Sequence, residues 1–165
     1  MPAPTLHTKD LVLKPLIKPL PIQPIWLNEP KNTQFSEQRW RKHTVSSCSK
    51  YILDCTYFWV INAVEIDKYI GTISVHLDEP NRVAEIGILI DHTYGGKGYG
   101  TQAWSEVQRW LLESGVRKVT AGCMSVNTPM VKIFKKTGMT FECERKGHFL
   151  KDGHPVNAVY YVRWK

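Results

Sequence analysis

The sequence lacks any apolar run close to the roughly 20 residues that a membrane-spanning helix needs. Its first ten residues also lack the apolar core of a secretion signal. Cysteine is scarce, and its four copies form neither a close metal-ligand cluster nor a dense disulfide framework. They are Cys48, Cys55, Cys123 and Cys143. These absences predict a cytoplasmic protein with no membrane span and no metal centre.

Acidic residues are outnumbered, since 15 Asp and Glu face 22 Lys and Arg and leave a formal net charge of +7. The basic residues are scattered, with only short clusters such as Lys132, Lys135 and Lys136. A nucleic-acid-binding protein more often has a dense basic stripe or a known motif. We therefore expect a basic surface that attracts an anionic ligand, and no nucleic-acid partner.

The sequence has no internal repeat, low-complexity tract or evident linker, and we expect one domain over residues 1–165. Prolines interrupt regular structure in the segment 15–30. Ile17, Ile25 and Trp26 nevertheless make that segment too apolar for a solvated tether. It is predicted to pack as an irregular lid with one short helical turn.

The hydrophobic patterning predicts strands followed by alternating strands and helices, and hence a mixed α/β sheet. The predicted strands are 11–16, 57–61, 69–75, 84–90 and 118–123, followed by a terminal hairpin of 139–150 and 155–164 around an Asp-Gly turn. The predicted helices run from Thr44 to about 53, from 98 to 114 and from 128 to 137.

One stretch indicates a ligand. The apolar strand 86–90 leads into the glycine-dense turn 95–101, which opens directly into a helix. Free backbone N–H groups and the positive end of a helix dipole make such a turn a socket for phosphate. It is not a nucleoside-triphosphate loop, because no Lys-Ser or Lys-Thr pair follows its last glycine. Its glycines are also spaced by two throughout, unlike those of the dinucleotide fingerprint. A tight turn without a ligand is the alternative that the loop alone leaves open.

Over nearly its whole length the chain resembles the GNAT acetyltransferase superfamily, and in particular its RimJ/RimL-like branch. The superfamily loop Gln/Arg-x-x-Gly-x-Gly/Ala is matched by residues 95–100, with Gly95 where Gln or Arg is usual. Residues 127–139 are similar to the superfamily's Asn…Lys-x-Gly-Phe segment. The resemblance implies the GNAT fold: a mixed, largely antiparallel sheet of about six to seven strands, flanked by helices and splayed in the middle to hold acetyl-CoA.

The same resemblance implies a donor site. Backbone amides of residues 96–101 would hold the pyrophosphate, and residues 88–90 would pair with the pantetheine arm. The N–H of Leu89 or Ile90 would polarise the thioester carbonyl. The predicted cofactor-binding residues are Ile88, Leu89, Ile90, Gly95, Gly96, Lys97, Gly98, Tyr99, Gly100, Thr101, Asn127, Met130 and Phe134.

Transfer of acetyl to an amine benefits from a base beside the cleft. Glu85, at the start of the splayed strand, is the first candidate, and a solvated edge charge is its alternative interpretation. His76 and Asp91 are weaker candidates.

The general acid is not evident. Phe134 stands where many members of the superfamily carry Tyr, and Met130 stands where some RimL-like enzymes carry Ser. Neither side chain can donate a proton. The CoA thiolate would therefore take a proton from solvent, or from another group such as Tyr94 or Cys123.

The acceptor is the least defined ligand. Trp26, Glu37 and Arg39 lie where the superfamily builds its acceptor wall, although a core Trp and a solvated helix start are alternative interpretations. We expect acetyl transfer to a small-molecule amine such as an amino sugar, by direct attack in a ternary complex, since no Cys has an obvious nucleophile setting. Acetylation of a protein N-terminus of the ribosomal-protein type and a non-catalytic acyl-CoA-binding module are the alternatives. The resemblance is also compatible with a homodimer.

Overall fold

All strands belong to one sheet in a computed structural model that describes residues 3–165. Their order is β1-β2-β3-β4-β5-β6-β8-β7, and every neighbouring pair is antiparallel except β5 and β6. The strands are β1 Leu6–His7, β2 Leu11–Pro15, β3 Tyr57–Ala63, β4 Lys68–Asp78, β5 Val83–Ile90, β6 Lys118–Met124, β7 Thr140–Lys151 and β8 His154–Trp164. The predicted strands are confirmed within a few residues at their ends, and the short strand β1 is additional.

The helices are α1 Gln23–Asn28, α2 Pro30–Thr33, α3 Val45–Asp54, α4 Tyr99–Glu113 and α5 Thr128–Lys136. Two 3-10 turns, Glu37–Trp40 and His92–Tyr94, complete the regular structure. The three predicted helices are confirmed. The proline-rich segment is more ordered than predicted, because Pro24 and Pro30 stand in the first turns of α1 and α2, where a missing N–H costs nothing.

Local signals set the helix ends. Thr44 caps α3 through a capping box with Ser47, in which each side chain accepts a hydrogen bond from the other residue's backbone N–H. Gly98 precedes α4 with φ of +81°, and Gly115 follows it with φ of +100°. Both values lie in the left-handed region that glycine adopts without strain.

Helices α4 and α5 cover one face of the sheet and form the main core. Ala103, Val107 and Leu111 of α4 are almost completely buried against strand residues such as Ile73 and Ala84. The opposite face of the central strands lies beneath α3 and the proline-rich segment. One face of the sheet therefore carries the main core, and the other face borders a cavity.

The two edges of the sheet differ from its centre. Strand β1 has only two residues, and β7 exposes nearly all of its side chains. Pairing of β7 with β8 is also irregular at two places, between Phe141 and Cys143 and between Arg145 and Phe149. Among the described residues, no helix is long and apolar enough to cross a membrane.

Candidate active site

A fork in the sheet marks the centre of the site. Strands β5 and β6 pair only at Val83–Lys118, Ala84–Val119 and Glu85–Thr120. Beyond Glu85 the strands separate, so residues 86–90 keep β4 as their only strand partner within the described chain. The predicted splay is confirmed, and Glu85 lies at its vertex.

The pairing of β5 with β4 decides which amides face the fork. Asp91 donates its N–H to the carbonyl of Ile70 at 2.8 Å, and a Cβ on Gly71 would lie 2.1 Å from the Leu89 carbonyl oxygen. The register is regular along β5, and backbone groups alternate sides along an antiparallel strand. Ile88 and Ile90 therefore direct their N–H and C=O groups into the fork.

The structure corrects the prediction for Leu89. Its backbone polar groups face β4, so its N–H is not available to a ligand in the fork. The Leu89 side chain instead lines the cavity on the other face of the sheet. Of the two amides predicted for the thioester carbonyl, the Ile90 N–H is the one with a suitable direction.

The glycine-rich loop lies at the open end of the fork. Gly96 and Gly98 have φ values of +75° and +81°, and a Cβ at either position would meet nothing within 4 Å. No protein acceptor is present for the N–H groups of residues 96–101 within the described chain, as expected at a helix N-terminus. Gly100 provides close packing, because a Cβ there would lie 2.9 Å from Ile133. The loop is therefore an open cradle of backbone donors that fits a phosphate group.

The second predicted cofactor segment divides into two parts. Asn127 caps α5 by accepting the N–H of Met130 at 3.2 Å, and its amide nitrogen has no hydrogen-bond partner among residues 3–165. Phe134 is fully buried between Trp104 and Tyr161, at centroid distances of 5.3 and 5.1 Å. The Phe134 ring therefore belongs to the core and presents no surface to a cofactor.

A cavity of about 450 Å³ opens on the other face of the fork strands. Its sheet wall consists of Phe58, Thr72, Ser74, Gly87 and Leu89, and its other wall comes from α3 and the segment that precedes it. Trp26 lines this second wall and is 4% exposed.

Glu37 and Arg39, the other two predicted acceptor residues, do not line this cavity. Arg39 donates hydrogen bonds to the carbonyls of Ser36 and Leu150, at 2.7 and 2.6 Å, and pairs with Glu37. Glu37 also accepts the indole N–H of Trp40. Both charged side chains therefore take part in the contacts that hold the 3-10 turn against the terminal hairpin.

The floor of the cavity carries polar groups that sequence reasoning missed. The Tyr51 hydroxyl lies 3.1 Å from the Ser74 hydroxyl, which lies 3.4 Å from the Gly87 carbonyl oxygen. Burial raises the pKa of Tyr51, with the charge of Glu85 among the smaller contributions. The phenol is therefore neutral over the physiological range. Because Tyr51 and Ser74 lie 23 residues apart, only the tertiary fold brings them together.

Glu85 lies on the same sheet face as this polar floor. It precedes Gly87 by two residues, about 7 Å along the strand, and its partner on β4 is His76. Its side chain is exposed, so a carboxylate at the vertex of the fork remains hydrated. The His76 imidazole in turn lies 3.6 Å from the Cys55 thiol, whose pKa burial raises to about 11.

Other candidates occupy separate positions. Burial raises the pKa of Cys123, on β6, to about 12, so this thiol is protonated at neutral pH. Tyr94 packs partly buried against the core, and Asp91 accepts the Thr93 hydroxyl. Within residues 3–165, no three His, Cys, Asp or Glu side chains come together as metal ligands.

The arrangement suits two ligands that meet at the fork. A long phosphate-bearing molecule fits the loop and the free strand edge, and a smaller one fits the cavity. The chain matches the acetyltransferase (GNAT) domain over residues 11–140. It belongs to this family.

Curated relatives support the assignment. A ribosomal-protein-serine acetyltransferase of Escherichia coli is 30% identical over 97 residues, covering 57% of this chain and 54% of the relative. An L-amino acid N-acetyltransferase of the same organism is 27% identical over 103 residues, covering 58% and 62%. The matches thus span a little more than half the length of these relatives.

A solved structure has the same fold. RimL, a ribosomal alpha-N-protein acetyltransferase in complex with coenzyme A, superposes with a TM-score of 0.81. Its sequence is 16% identical, and the match covers 95% of both chains. The predicted GNAT architecture is therefore confirmed, with eight strands in place of the expected six to seven.

Proposed function

We propose that this protein is an N-acetyltransferase that moves acetyl from acetyl-CoA to a primary amine of a small molecule, by direct attack in a ternary complex. The observation that carries the proposal is the fork, which joins an open phosphate cradle to a cavity across Gly87. Family membership points to the same chemistry.

The donor half of the proposal uses backbone groups. The N–H groups of residues 96–101 would hold the pyrophosphate, and Ile88 and Ile90 would pair with the pantetheine amides as a neighbouring strand does. Acetyl-CoA would supply the activated acetyl group. The Ile90 N–H would polarise its carbonyl, and no side chain of the loop is required.

For the acceptor half, Glu85 is the proposed base. The amine nitrogen forms its bond to the acetyl carbon as the carbon–sulfur bond breaks, and Glu85 takes the amine proton directly or through water. Its position at the vertex of the fork, on the cavity face, supports this role. Phe134 is buried and Met130 has no proton to give, so solvent remains the proposed source of the proton for the thiolate.

The size of the cavity favours a small acceptor. About 450 Å³ lies within the range of small-molecule sites, and the cavity is bounded by the proline-rich segment as well as the sheet. The L-amino acid N-acetyltransferase among the relatives is named for such an acceptor. The ribosomal-protein-serine acetyltransferase supports the second candidate, a protein N-terminus.

The test is thiol release. The protein is mixed with acetyl-CoA and a panel of small amines, amino sugars and short peptides with free N-termini, and free CoA thiol is followed. Amine-dependent release with small amines is expected. Release with peptides alone would favour the protein acceptor, and tight CoA binding without any release would identify a non-catalytic acyl-CoA-binding module.

A further inference from the structure

The cavity has an uneven charge. Three of its lining side chains are cationic, namely Arg41, Lys42 and Lys50, whereas Asp54 is its only acidic lining residue in the described chain. None of the three cations has a carboxylate partner within 4 Å among residues 3–165. Three exposed cations and one carboxylate therefore line the same cavity, which leaves it with an excess of positive charge.

Two basic groups of the same segment have structural roles. Arg39 is bound by Glu37 and two carbonyls outside the cavity. His43 is buried, and its Nε2 lies 3.0 Å from the Gln38 carbonyl oxygen, to which it donates. Both groups hold the chain in place, whereas the side chains of Arg41, Lys42 and Lys50 have no hydrogen-bond or ion-pair partner among residues 3–165.

The cations lie on one wall and the fork lies on the other. Arg41, Lys42 and Lys50 belong to α3 and the segment before it, whereas Ser74 and Gly87 form the sheet wall next to Glu85. A molecule that spans the cavity would place an amine at Gly87 and a second group among the cations. The cations favour a negatively charged group at this second position.

We infer that the acceptor is a small primary amine that also carries an anionic group, a carboxylate or a phosphate, recognised by Arg41, Lys42 and Lys50. This inference rests on the proposed acetyltransferase function. Arg41 can bind either anion with two parallel hydrogen bonds, and the lysines act as point charges. The amine end remains free to reach Glu85.

The experiment compares matched acceptors. Steady-state kcat/KM is measured with serine against serinamide for the carboxylate, and with phosphoethanolamine against ethanolamine for the phosphate. An exposed ion pair contributes a preference of up to about fivefold, so we expect the three cations together to give a preference of about tenfold for the better anion. Added salt should reduce this preference, because these charges are solvent-exposed.

Substitutions test whether the cavity cations cause the preference for anionic acceptors. Lys50→Gln and Arg41→Gln should each lower the ratio of anionic to neutral kcat/KM about twofold, mainly through the KM of the anionic acceptor. Lys68→Gln removes an exposed cation that does not line the cavity and should leave the ratio unchanged.

The outcomes separate the two proposals. Acetylation of anionic and neutral amines at equal rates, or a preference that Lys50→Gln and Arg41→Gln leave intact, would overturn the inference while the proposed function stands. Faster acetylation of peptides regardless of charge would also overturn it. If no amine of any class is acetylated, it is the proposed function that fails.

Discussion

The donor and acceptor halves of the proposed site are built from different parts of the chain. The donor side consists of backbone groups from one contiguous stretch, in which β5 leads through the loop into α4. The acceptor side consists of side chains from α1, α3, β3, β4 and β5, which are distant in sequence. A backbone site tolerates most side-chain changes but not changes at its glycines. A side-chain site responds to each substitution separately.

The largest effect is expected on the acceptor side, at Glu85. Glu85→Gln should lower kcat about 100-fold at neutral pH, because it removes the proposed base. Activity should partly recover at high pH, where more of the amine is already unprotonated. The KM for acetyl-CoA should stay constant, and Glu65→Gln, an exposed carboxylate in the β3–β4 turn, is the control. Unchanged rates in Glu85→Gln would remove this residue from the mechanism.

The boundary between the two halves is Gly87. In Gly87→Ala the new Cβ would lie 3.0 Å from the Ser74 hydroxyl and 4.0 Å from that of Tyr51. It should displace the amine and lower acceptor kcat/KM about tenfold. Binding of CoA, measured by calorimetry, should not change. Adding Ser74→Gly should restore part of the lost activity, and no recovery would argue against a steric cause.

The donor side is tested at Gly98 and Gly115, which flank helix α4 and both have a left-handed backbone conformation. Gly98→Ala and Gly115→Ala should each destabilise the protein by about 1 kcal/mol, because both positions have positive φ and open surroundings. Gly98→Ala alone should weaken CoA binding, about tenfold, by turning loop N–H groups away from the phosphates. Thermal unfolding and calorimetry measure the two effects. Equal losses of CoA affinity would show that the loop geometry is irrelevant.

The smallest effect is expected at Tyr51. Tyr51→Phe removes the hydrogen bond to Ser74 and should raise the acceptor KM about threefold. Burial raises the pKa of Tyr51 above its ordinary value of about 10, so activity profiles of variant and wild type should be parallel below pH 10.

The pH dependence of the free energy of unfolding tests the direction of the Tyr51 pKa shift. The unfolded chain loses its phenolic proton first, so the free energy of unfolding of the wild type should fall as pH rises above about 10. Tyr51→Phe lacks this contribution and should show a shallower decline in urea titrations at pH 9 to 11. An equal decline in both proteins would mean that Tyr51 titrates normally.

The contrast also explains what the sequence could predict. Strand, turn and helix signals of the donor side are local, so the loop, strand β5 and most helix ends were predictable, whereas the splay of β5 from β6 was implied only by the family resemblance. The direction of the Leu89 amide depends on the pairing of β5 with β4, and the burial of Phe134 depends on Trp104 and Tyr161. Neither relation is visible in the local pattern of residues.

The acceptor side was largely beyond local reasoning. Arg39 binds a carbonyl 111 residues away, so its type and position did not reveal that it lies outside the cavity. Tyr51 and Ser74 meet only because α3 packs over β4. Cations at 41, 42 and 50 gain significance only from the shared cavity and from the absence of acidic partners in the described chain.

The edges of the sheet have a consequence for the protein at high concentration. An open sheet can grow by adding strands from other molecules, which is a common route to aggregation. Here one edge is the two-residue β1, and the other is β7, which is irregularly paired and exposes Glu142, Glu144, Arg145 and Lys146. Both edges are poor templates for another strand. Association of copies through a continuous sheet is therefore disfavoured.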